Sequence, residues 1–288
     1  MTDLYLVATI TSGLAITICI FALFLMQKDS RKLFIILSLI MLPMNGIAFH
    51  FLRMPIDTLL SHFIDNHKII QFIRIFYAPF TEEPAKLWIL FLPWFFQRIS
   101  TTNLFIPALA IGFGFGIGEV WTVATLLSKN PELVKYPWFM LGGFLSERLM
   151  VCFFHAAFTG TAMFFIIKKK LVFLALFLCM TLHFAGNSPI FLSHLNVFGI
   201  GQIAWAHIQQ IFMIVYFLGM IAILLFLFYG RNWLWKTFKG QTLCPECKTM
   251  YDRPIFKINL LHKSFERCTN CKHWHFVNSI DTIKPIQQ

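Results

Sequence analysis

Long apolar runs separated by short polar segments dominate this sequence. Seven runs are candidates for membrane spans, and they cover residues 4–26, 33–52, 80–96, 104–127, 138–167, 171–191 and 205–229. A membrane helix needs about 20 mostly apolar residues, within a range of about 17–25. The third run is at the short end of this range unless its helix begins before Phe80. The pattern predicts an all-α polytopic membrane protein with about seven transmembrane helices.

The composition agrees with this class of protein. Hydrophobic residues make up 58% of the chain and charged residues 13%, whereas a soluble domain has about 45–50% and about 25%. The formal net charge is +11. We expect no nucleic-acid partner, because the basic residues cluster at the ends of the apolar runs and in the C-terminal part. The lipid bilayer accounts for basic residues in such places.

The basic clusters also predict the orientation of the chain. The densest ones lie at 28–32 and 168–170, and Arg231, Lys236 and Lys239 follow the last run. Basic loops stay in the cytoplasm. We therefore expect a multi-pass protein of the cell membrane, with its amino terminus outside and its carboxy terminus in the cytoplasm.

Two further segments complete the prediction for the membrane part. The first run has no basic segment before it and no small-residue cleavage site after it, so we expect a retained span rather than a signal peptide. Residues 55–78 alternate between polar and apolar side chains. They predict a helix that lies on the membrane surface or caps the bundle.

Two adjacent carboxylates and a lysine open the third apolar run, at Glu82, Glu83 and Lys86. A carboxylate in hydrocarbon costs roughly 2.5–3.5 kcal/mol on insertion scales, so such groups face a protein interior or a water-filled cavity and usually serve function. The alternative is an ordinary helix start, with Thr81 as the N-cap and the acids in the first turn. The local pattern leaves both interpretations open.

Three later runs carry further polar residues. Glu119 follows four alternating glycines in the segment 112–118, which we interpret as packing positions between helices. His155 lies in the fifth run, and His183 and Asn187 lie four residues apart, hence on one helix face, in the sixth. At about 1.5 Å per residue, these groups reach similar depths. We expect them to converge on one cavity in the outer half of the bilayer.

General-base hydrolysis is the chemistry that fits such a cavity. Glu82 or Glu83 would take a proton from water, a partner histidine or acid would hold that water, and an amide or imidazole would stabilise the oxyanion. The sequence has neither a serine nucleophile elbow nor a His-Glu-x-x-His helix. The histidines and glutamates could also bind zinc, so a catalytic metal stays open. We interpret Glu147 and Arg148 as a charge pair at the start of the fifth span.

Four segments together resemble the four motifs of the PrsW-type intramembrane proteases, which are related to the CAAX prenyl protease and bacteriocin-processing (CPBP, Abi) family. They are 82–86, 112–119, 155–160 and 182–187, in motif order. The resemblance implies a peptidase, a glutamate-dependent intramembrane protease, that cleaves a membrane-anchored protein such as an anti-sigma factor-like regulator. The catalytic residues that it implies are Glu82, Glu83, Glu119, His155, His183 and Asn187, the last of which resembles the amide of a His-x-x-x-Asn element.

A non-catalytic membrane protein is the alternative class, either a scaffold or a transporter that uses the same polar cavity. Many transporters have inverted repeats and discontinuous helices, and the sequence shows no repeat. A scaffold derived from such an enzyme would lack one of the motifs, and all four are present. The hydrolase interpretation is therefore preferred.

Four cysteines form a separate pattern after the last apolar run. Two Cys-x-x-Cys pairs, separated by twenty residues, predict a cytoplasmic four-cysteine zinc ribbon with a structural zinc ion. Disulfides or a redox pair are the rival interpretations, and the predicted cytoplasmic side favours thiolates that stay reduced. The predicted metal ligands are Cys244, Cys247, Cys268 and Cys271.

The ribbon completes the domain organisation. We predict a transmembrane intramembrane-protease domain over 1–235, the ribbon over 240–276 and a tail over 277–288. His273 and His275 are expected at the ribbon surface rather than among the ligands. A cytoplasmic protein that binds the ribbon is the further partner, besides the membrane-embedded substrate.

Overall fold

The computed structural model describes residues 3–26, 28–99, 104–169, 171–194, 199, 201–229, 241–252, 258–260 and 263–278. Within these residues the chain forms a mostly helical body and a small β module. Six helices are long and apolar enough to cross a membrane: Asp3–Phe24, Ser30–Phe63, Phe105–Leu127, Trp138–Ile167, Val172–Pro189 and Ala204–Phe228. This finding agrees with a membrane protein.

The first half of the chain forms two long helical segments and a third that is interrupted. Helix α1 covers Asp3–Leu25, and α2 covers Lys28–Met41. The second segment continues through α3 (Met44–Ile47), a π-helical turn (Ala48–Arg53) and α4 (Met54–Phe63). The third consists of α5 (His67–Leu87), a 3-10 turn (Trp88–Phe91) and α6 (Pro93–Arg98).

The second half supplies the remaining long helices. They are α7 (Phe105–Leu127), a short α8 (Pro131–Val134), a 3-10 turn (Trp138–Leu141), α9 (Gly142–Met163) with a π-helical end (Phe164–Lys169), α10 (Val172–His194) and α11 (Gln202–Tyr229). The basic residues Lys170, Arg231, Lys236 and Lys239, which entered the predicted orientation, lie outside the described residues.

The predicted third span, 80–96, is not one continuous helix. Helix α5 begins well upstream, at His67, and ends at Leu87. Leu92 is extended and Pro93 starts a new short helix, because proline disfavours a helical conformation in the residue before it. Residues 55–78 likewise do not form a separate surface helix, since they are divided between α4 and α5.

The helix-start interpretation of the acidic pair is also wrong. Glu82 and Glu83 lie in the last turns of α5 rather than in its first turn. The Thr81 hydroxyl donates to the carbonyl of Ala78 within the same helix, so it does not cap a helix start. Stabilisation of a helix start therefore does not explain why the two acids lie at these positions.

Glycine packing around α7 is confirmed. A Cβ on Gly112 would lie 2.1 Å from the backbone nitrogen of Ala156 in α9, and one on Gly118 would lie 2.1 Å from the carbonyl oxygen of Leu42 next to α2. Such distances allow only glycine, so the backbones are in direct contact. The two glycine faces are Gly112 and Gly116 toward α9, and Gly114 and Gly118 toward α2 and the turn that follows it.

The β module follows the last helix. Strands β1 (Gln241–Leu243) and β2 (Met250–Asp252) form an antiparallel pair. Strands β3 (Ile258–Leu260), β4 (Lys263–Arg267) and β5 (Trp274–Asn278) form an antiparallel sheet in the order β3-β4-β5. The predicted tail, 277–288, lies outside the described residues beyond Asn278.

Candidate active site and metal centre

Four helices bring the predicted catalytic residues together. Glu82 and Glu83 come from α5, Glu119 from α7, His155 from α9, and His183 from α10. Four of the five are buried, and the Glu119 side chain is 17% exposed. Hydrogen bonds through Lys86 connect Glu83, His183, His155 and Glu119, and Glu82 lies beside this network.

Glu83 is at the centre of this network. Its Oε1 accepts a hydrogen bond of 2.6 Å from Nζ of Lys86 and another of 2.6 Å from Nδ1 of His183. Both Glu83 and Lys86 are fully buried. The spacing of three residues puts the two charges on one face of α5, whereas Pro84 lies exposed.

Lys86 connects Glu83 to helix α9. Its Nζ lies 2.9 Å from Nδ1 of His155 and 5.2 Å and 5.4 Å from the ring centroids of Phe115 and Phe158. An ammonium group only donates, so Nδ1 of His155 is the acceptor and the imidazole proton is on Nε2. The lysine therefore fixes the tautomer of this histidine.

The network continues toward the N-terminal end of α9. Nε2 of His155 donates to Oε2 of Glu119 across 2.5 Å, and Nη1 of Arg148 donates to Oε1 of Glu119 across 2.7 Å. The other guanidinium nitrogen of Arg148 lies 2.5 Å from Oε1 of Glu147. The predicted Glu147–Arg148 pair is present, but Arg148 also binds Glu119, so it belongs to the cluster.

Glu82 has a different environment from Glu83. Its Oε1 accepts a hydrogen bond of 2.9 Å from Nη1 of Arg53. Its Oε2 is buried, makes no hydrogen bond within the described part of the chain, and lies 3.7 Å from Nε2 of His183. When Nδ1 of a neutral imidazole donates to Glu83, Nε2 of the same ring is an acceptor. A carboxylate oxygen and an imidazole nitrogen thus face each other at 3.7 Å, which is too long for a hydrogen bond between them.

A small cavity adjoins the cluster. Its volume is about 30 Å³, which is room for one or two waters. Glu119, His155 and His183 line it, and so does the sixth predicted residue, Asn187, together with Met213 from α11. The lining residues thus come from α7, α9, α10 and α11, and they do not include Glu82 or Glu83, which lie on the other side of His183.

Glu82, His155 and His183 are close enough to share a metal ion, since one ligand atom of each lies within 4.8 Å of the others. Both ring nitrogens of His155 are already engaged, by Lys86 and by Glu119. A cation there would have to displace the Lys86 ammonium or the Glu119 carboxylate. The donor set that is free fits a bound water better than a metal.

Sequence reasoning missed the cations that hold the carboxylates. The sequence pattern places Lys86 in the third run without indicating a role for it, and it does not point to Arg53. Arg53 ends the second apolar run, where a single arginine is usually a boundary residue. Its bond to Glu82 joins residues 29 positions apart, and no local spacing rule detects such a contact.

The four cysteines of the β module form one cluster. The Sγ atoms of Cys244 and Cys271 are 3.7 Å apart, and those of Cys247 and Cys268 are 3.8 Å apart. These distances are far longer than a disulfide bond of about 2.0 Å. All four sulfurs lie within 4.8 Å of one another, so they could hold a metal ion.

Two equivalent turns position these sulfurs. The backbone N–H of Lys248 donates to the carbonyl of Cys244, and that of Lys272 donates to the carbonyl of Cys268. Both lysines have positive φ, at 55° and 63°. Hydrogen bonds from the side chain and backbone of Thr249 lower the pKa of Cys247 to about 6, which favours the thiolate that binds metal.

The expected surface position of His275 is wrong. His275 is buried, its Nε2 lies 2.8 Å from the Tyr251 hydroxyl, and that hydroxyl donates to Glu266 across 2.8 Å. The alternation of strand β5 explains this, because His275 points to the cysteine side of the sheet. His273 is exposed, as expected.

The comparisons with known proteins add no relatives. No protein-family model matches the chain, and neither does a curated protein or a solved structure.

Proposed function

We propose that the protein is an intramembrane glutamate-dependent endopeptidase. The observation that carries the proposal is the position of Oε2 of Glu82 inside a helical bundle. Like Oε2 of Glu83, this atom makes no hydrogen bond among the described residues, but it alone of the two lies beside Nε2 of His183, at 3.7 Å. A buried carboxylate oxygen with no hydrogen bond is costly. Such an atom beside an imidazole is suited to accept a proton from a water held between them.

Glu82 is the general base in this proposal. The water oxygen attacks the carbonyl carbon of the scissile peptide bond while one water proton passes to Oε2 of Glu82. The C–N bond of the tetrahedral intermediate then breaks, and the proton moves from Glu82 to the leaving amine. Water and peptide are converted to an acid and an amine, with no other reactant.

The neighbouring residues position the water and stabilise the oxyanion. Glu83 accepts from Nδ1 of His183 and so keeps Nε2 of that ring free for the water. Asn187, which lines the cavity, supplies an amide N–H for the developing oxyanion. Glu119 and His155 form the cavity wall through their mutual hydrogen bond. The motif resemblance assigns the same residues to the site.

The proposed substrate is a membrane-anchored protein, such as an anti-sigma factor-like regulator. Glu147 and Arg148, near the start of α9, are among the residues that line the cavity. This end of the bundle corresponds to the outer half of the bilayer in the orientation that the basic clusters predict. Cleavage would therefore fall near the outer face.

Seven crossings suit this bundle better than six. A Cβ on Gly114 would lie 2.4 Å from the Ser38 carbonyl, and the corresponding contact of Gly118 is Leu42, so α2 and α7 run in the same direction. The chain has to cross back between them, and only the segment of α5, its 3-10 turn and α6 is available. An odd number of crossings would put the two termini on opposite sides of the membrane, and the basic clusters then favour an amino terminus outside and a carboxy terminus in the cytoplasm.

Zinc is the metal that we propose for the cysteine cluster. A tetrahedral site with Zn–S bonds of about 2.3 Å has sulfurs about 3.8 Å apart, and the two measured pairs are 3.7 Å and 3.8 Å apart. The zinc would hold the two turns together and would be needed for the module to fold. The module would then be available to a cytoplasmic protein partner.

The decisive experiment compares membrane proteomes. Cells expressing the wild type are compared with cells expressing Glu82→Gln, and single-pass proteins that are cut only by the wild type are identified. Glu132→Gln serves as the matched control, because this glutamate lies exposed in α8. No such cleaved protein at equal expression would contradict the peptidase and favour the scaffold or transporter. Cleavage that persists with a zinc chelator would support a metal-free base.

A further inference from the structure

One face of the β module is aromatic and exposed. Register pairs Phe265 of β4 with Phe276 of β5, and Trp274 lies two residues before Phe276 on the same side. The ring of Phe265 stacks on Trp274 at 5.2 Å and lies 4.8 Å from Phe276. Trp274 and Phe276 are each 54% exposed. We call these three residues the aromatic face.

The opposite side of the same sheet forms the interior of the module. Glu266, His275 and Val277 are buried there, and the first two bind Tyr251 through hydrogen bonds that involve its hydroxyl. The aromatic face is therefore not needed for the hydrogen bonds around the cysteine cluster. Exposed apolar side chains that lie together, rather than scattered singly, are typical of binding surfaces.

The position of the module in the chain limits what this surface can meet. Helix α11 ends at Tyr229 and strand β1 begins at Gln241, so residues 230–240 join them. These eleven residues span about 40 Å at most. The module is thus tethered close to the membrane surface, and a lipid contact would form at a high effective concentration.

The positive charge of the C-terminal part of the chain also favours a lipid surface as the binding partner. Beyond residue 229 the sequence has ten Lys and Arg residues against four Asp and Glu residues. Arg267 is exposed and occupies the same side of β4 as Phe265. The joining segment contains Trp233 and Trp235 among basic residues. Aromatic and basic residues together are typical of contact with an anionic membrane interface.

We infer that the aromatic face docks on the anionic lipid surface beside the C-terminal end of α11. Trp274 and Phe276 enter the headgroup region, and Arg267 meets lipid phosphates. This docking is independent of the proposed peptidase activity. Stacking of bases from single-stranded RNA on the same face is the competing outcome, and the short tether favours the lipid.

The test uses the full-length chain labelled with 5-fluorotryptophan, with the Trp274 resonance assigned by Trp274→Phe. The protein is placed in phosphatidylcholine nanodiscs that contain roughly a quarter phosphatidylserine, an anionic lipid, and a lipid spin-labelled near its headgroup. We expect loss of the Trp274 line in these discs and protection of it from a water-soluble gadolinium chelate. A line that survives the spin-labelled lipid and is lost with the chelate would overturn the proposal.

Variants and a competitor complete the test. Phe276→Thr should make Trp274 accessible to the chelate, whereas Leu243→Thr, which removes a similarly exposed side chain from β1, should not. Bound zinc is measured for each variant. If Phe276→Thr loses zinc, the wild type in high salt is measured in place of this variant, and Trp274 should then become accessible to the chelate. If a single-stranded RNA oligonucleotide protects Trp274 and anionic lipid does not, the surface binds nucleic acid and the lipid proposal is wrong.

Discussion

Lys86 donates a hydrogen bond to Nδ1 of His155 across 2.9 Å, and this contact joins α5 to α9 inside the bundle. The same ammonium binds Glu83 across 2.6 Å. One cation thus holds an acid from its own helix and an imidazole from another. Because an ammonium only donates, it also directs the His155 proton toward Glu119.

Removal of this cation should destabilise the protein. Lys86→Met leaves the fully buried Glu83 without its cation, and breaking a buried pair costs about 3–5 kcal/mol. Thermal unfolding in detergent is expected at a clearly lower temperature. The double variant Lys86→Met/Glu83→Gln removes both charges and should recover part of the loss. If the double variant is as unstable as the sum of the single variants, the two groups are not coupled.

The tautomer of His155 gives a second readout for Lys86. The imidazole 15N chemical shifts of the wild type should correspond to a proton on Nε2. Lys86→Arg should keep this pattern, because a guanidinium also only donates, and Lys86→Met should lose it. Unchanged shifts in Lys86→Met would mean that Glu119 alone fixes the ring.

Replacement of Glu82 separates the base from its neighbour. Glu82→Gln removes the base at nearly constant shape and should lower cleavage by about 10²–10⁴-fold, with a smaller loss of stability than Glu83→Gln, because its cation Arg53 is 25% exposed whereas Lys86 is fully buried. Glu83→Gln should lower stability as well as activity, because Lys86 then has no carboxylate partner. Rates are measured on a substrate found by the proteomic comparison. Full activity of Glu82→Gln would assign the base elsewhere.

Much of the fold could be predicted from the sequence, because apolar length alone defines a membrane helix. The failure at 80–96 has a local cause. Helix α5 starts in a polar stretch, so a hydropathy pattern does not detect its beginning. The charges in this stretch are paired, since Arg74 bonds to Asp57 of α4 across 2.8 Å. Its end is set by the break before Pro93.

The candidate site was found because charged residues are rare in apolar runs. The hydrogen bonds that connect its residues could not be predicted in this way. Arg148 and Glu119 are 29 positions apart, and their 2.7 Å bond depends on how α9 packs on α7. The buried position of His275 was missed for a similar reason, since its partner Tyr251 belongs to the other sheet.

Close packing between α7 and α9 should be as sensitive as the charges. Gly112→Ala would place a methyl group 2.1 Å from the Ala156 nitrogen, so the helices must separate, at a cost of about 1–3 kcal/mol. The bond between Glu119 and His155 crosses this interface, and activity should fall with stability. Gly13→Ala, which meets no atom within 4 Å, should leave both unchanged. Equal effects of the two variants would contradict direct backbone contact.

Asn187 should affect the rate and not the stability. Asn187→Ala removes the proposed oxyanion donor, and loss of one such donor lowers the rate by about 10²–10³-fold. Ser188→Ala is the adjacent control, because its hydroxyl bonds only to the Ala185 carbonyl of its own helix among the contacts described. The expected signature is a lower kcat at nearly constant KM. A change in KM alone would make Asn187 a substrate-binding residue.

The β module should depend on its metal. Cys247→Ser removes one of four ligands, and the full-length protein should lose about one zinc per chain. Zinc is measured by mass spectrometry, and hydrogen exchange of β4 and β5 is measured on the same sample and should become faster. Cys19→Ser, in α1, keeps the four-cysteine cluster intact and should retain the zinc. Because the proposed catalytic water needs no metal, Cys247→Ser should keep its proteolytic activity although it loses the zinc. Loss of both zinc and activity would instead mean that the module is coupled to the membrane site.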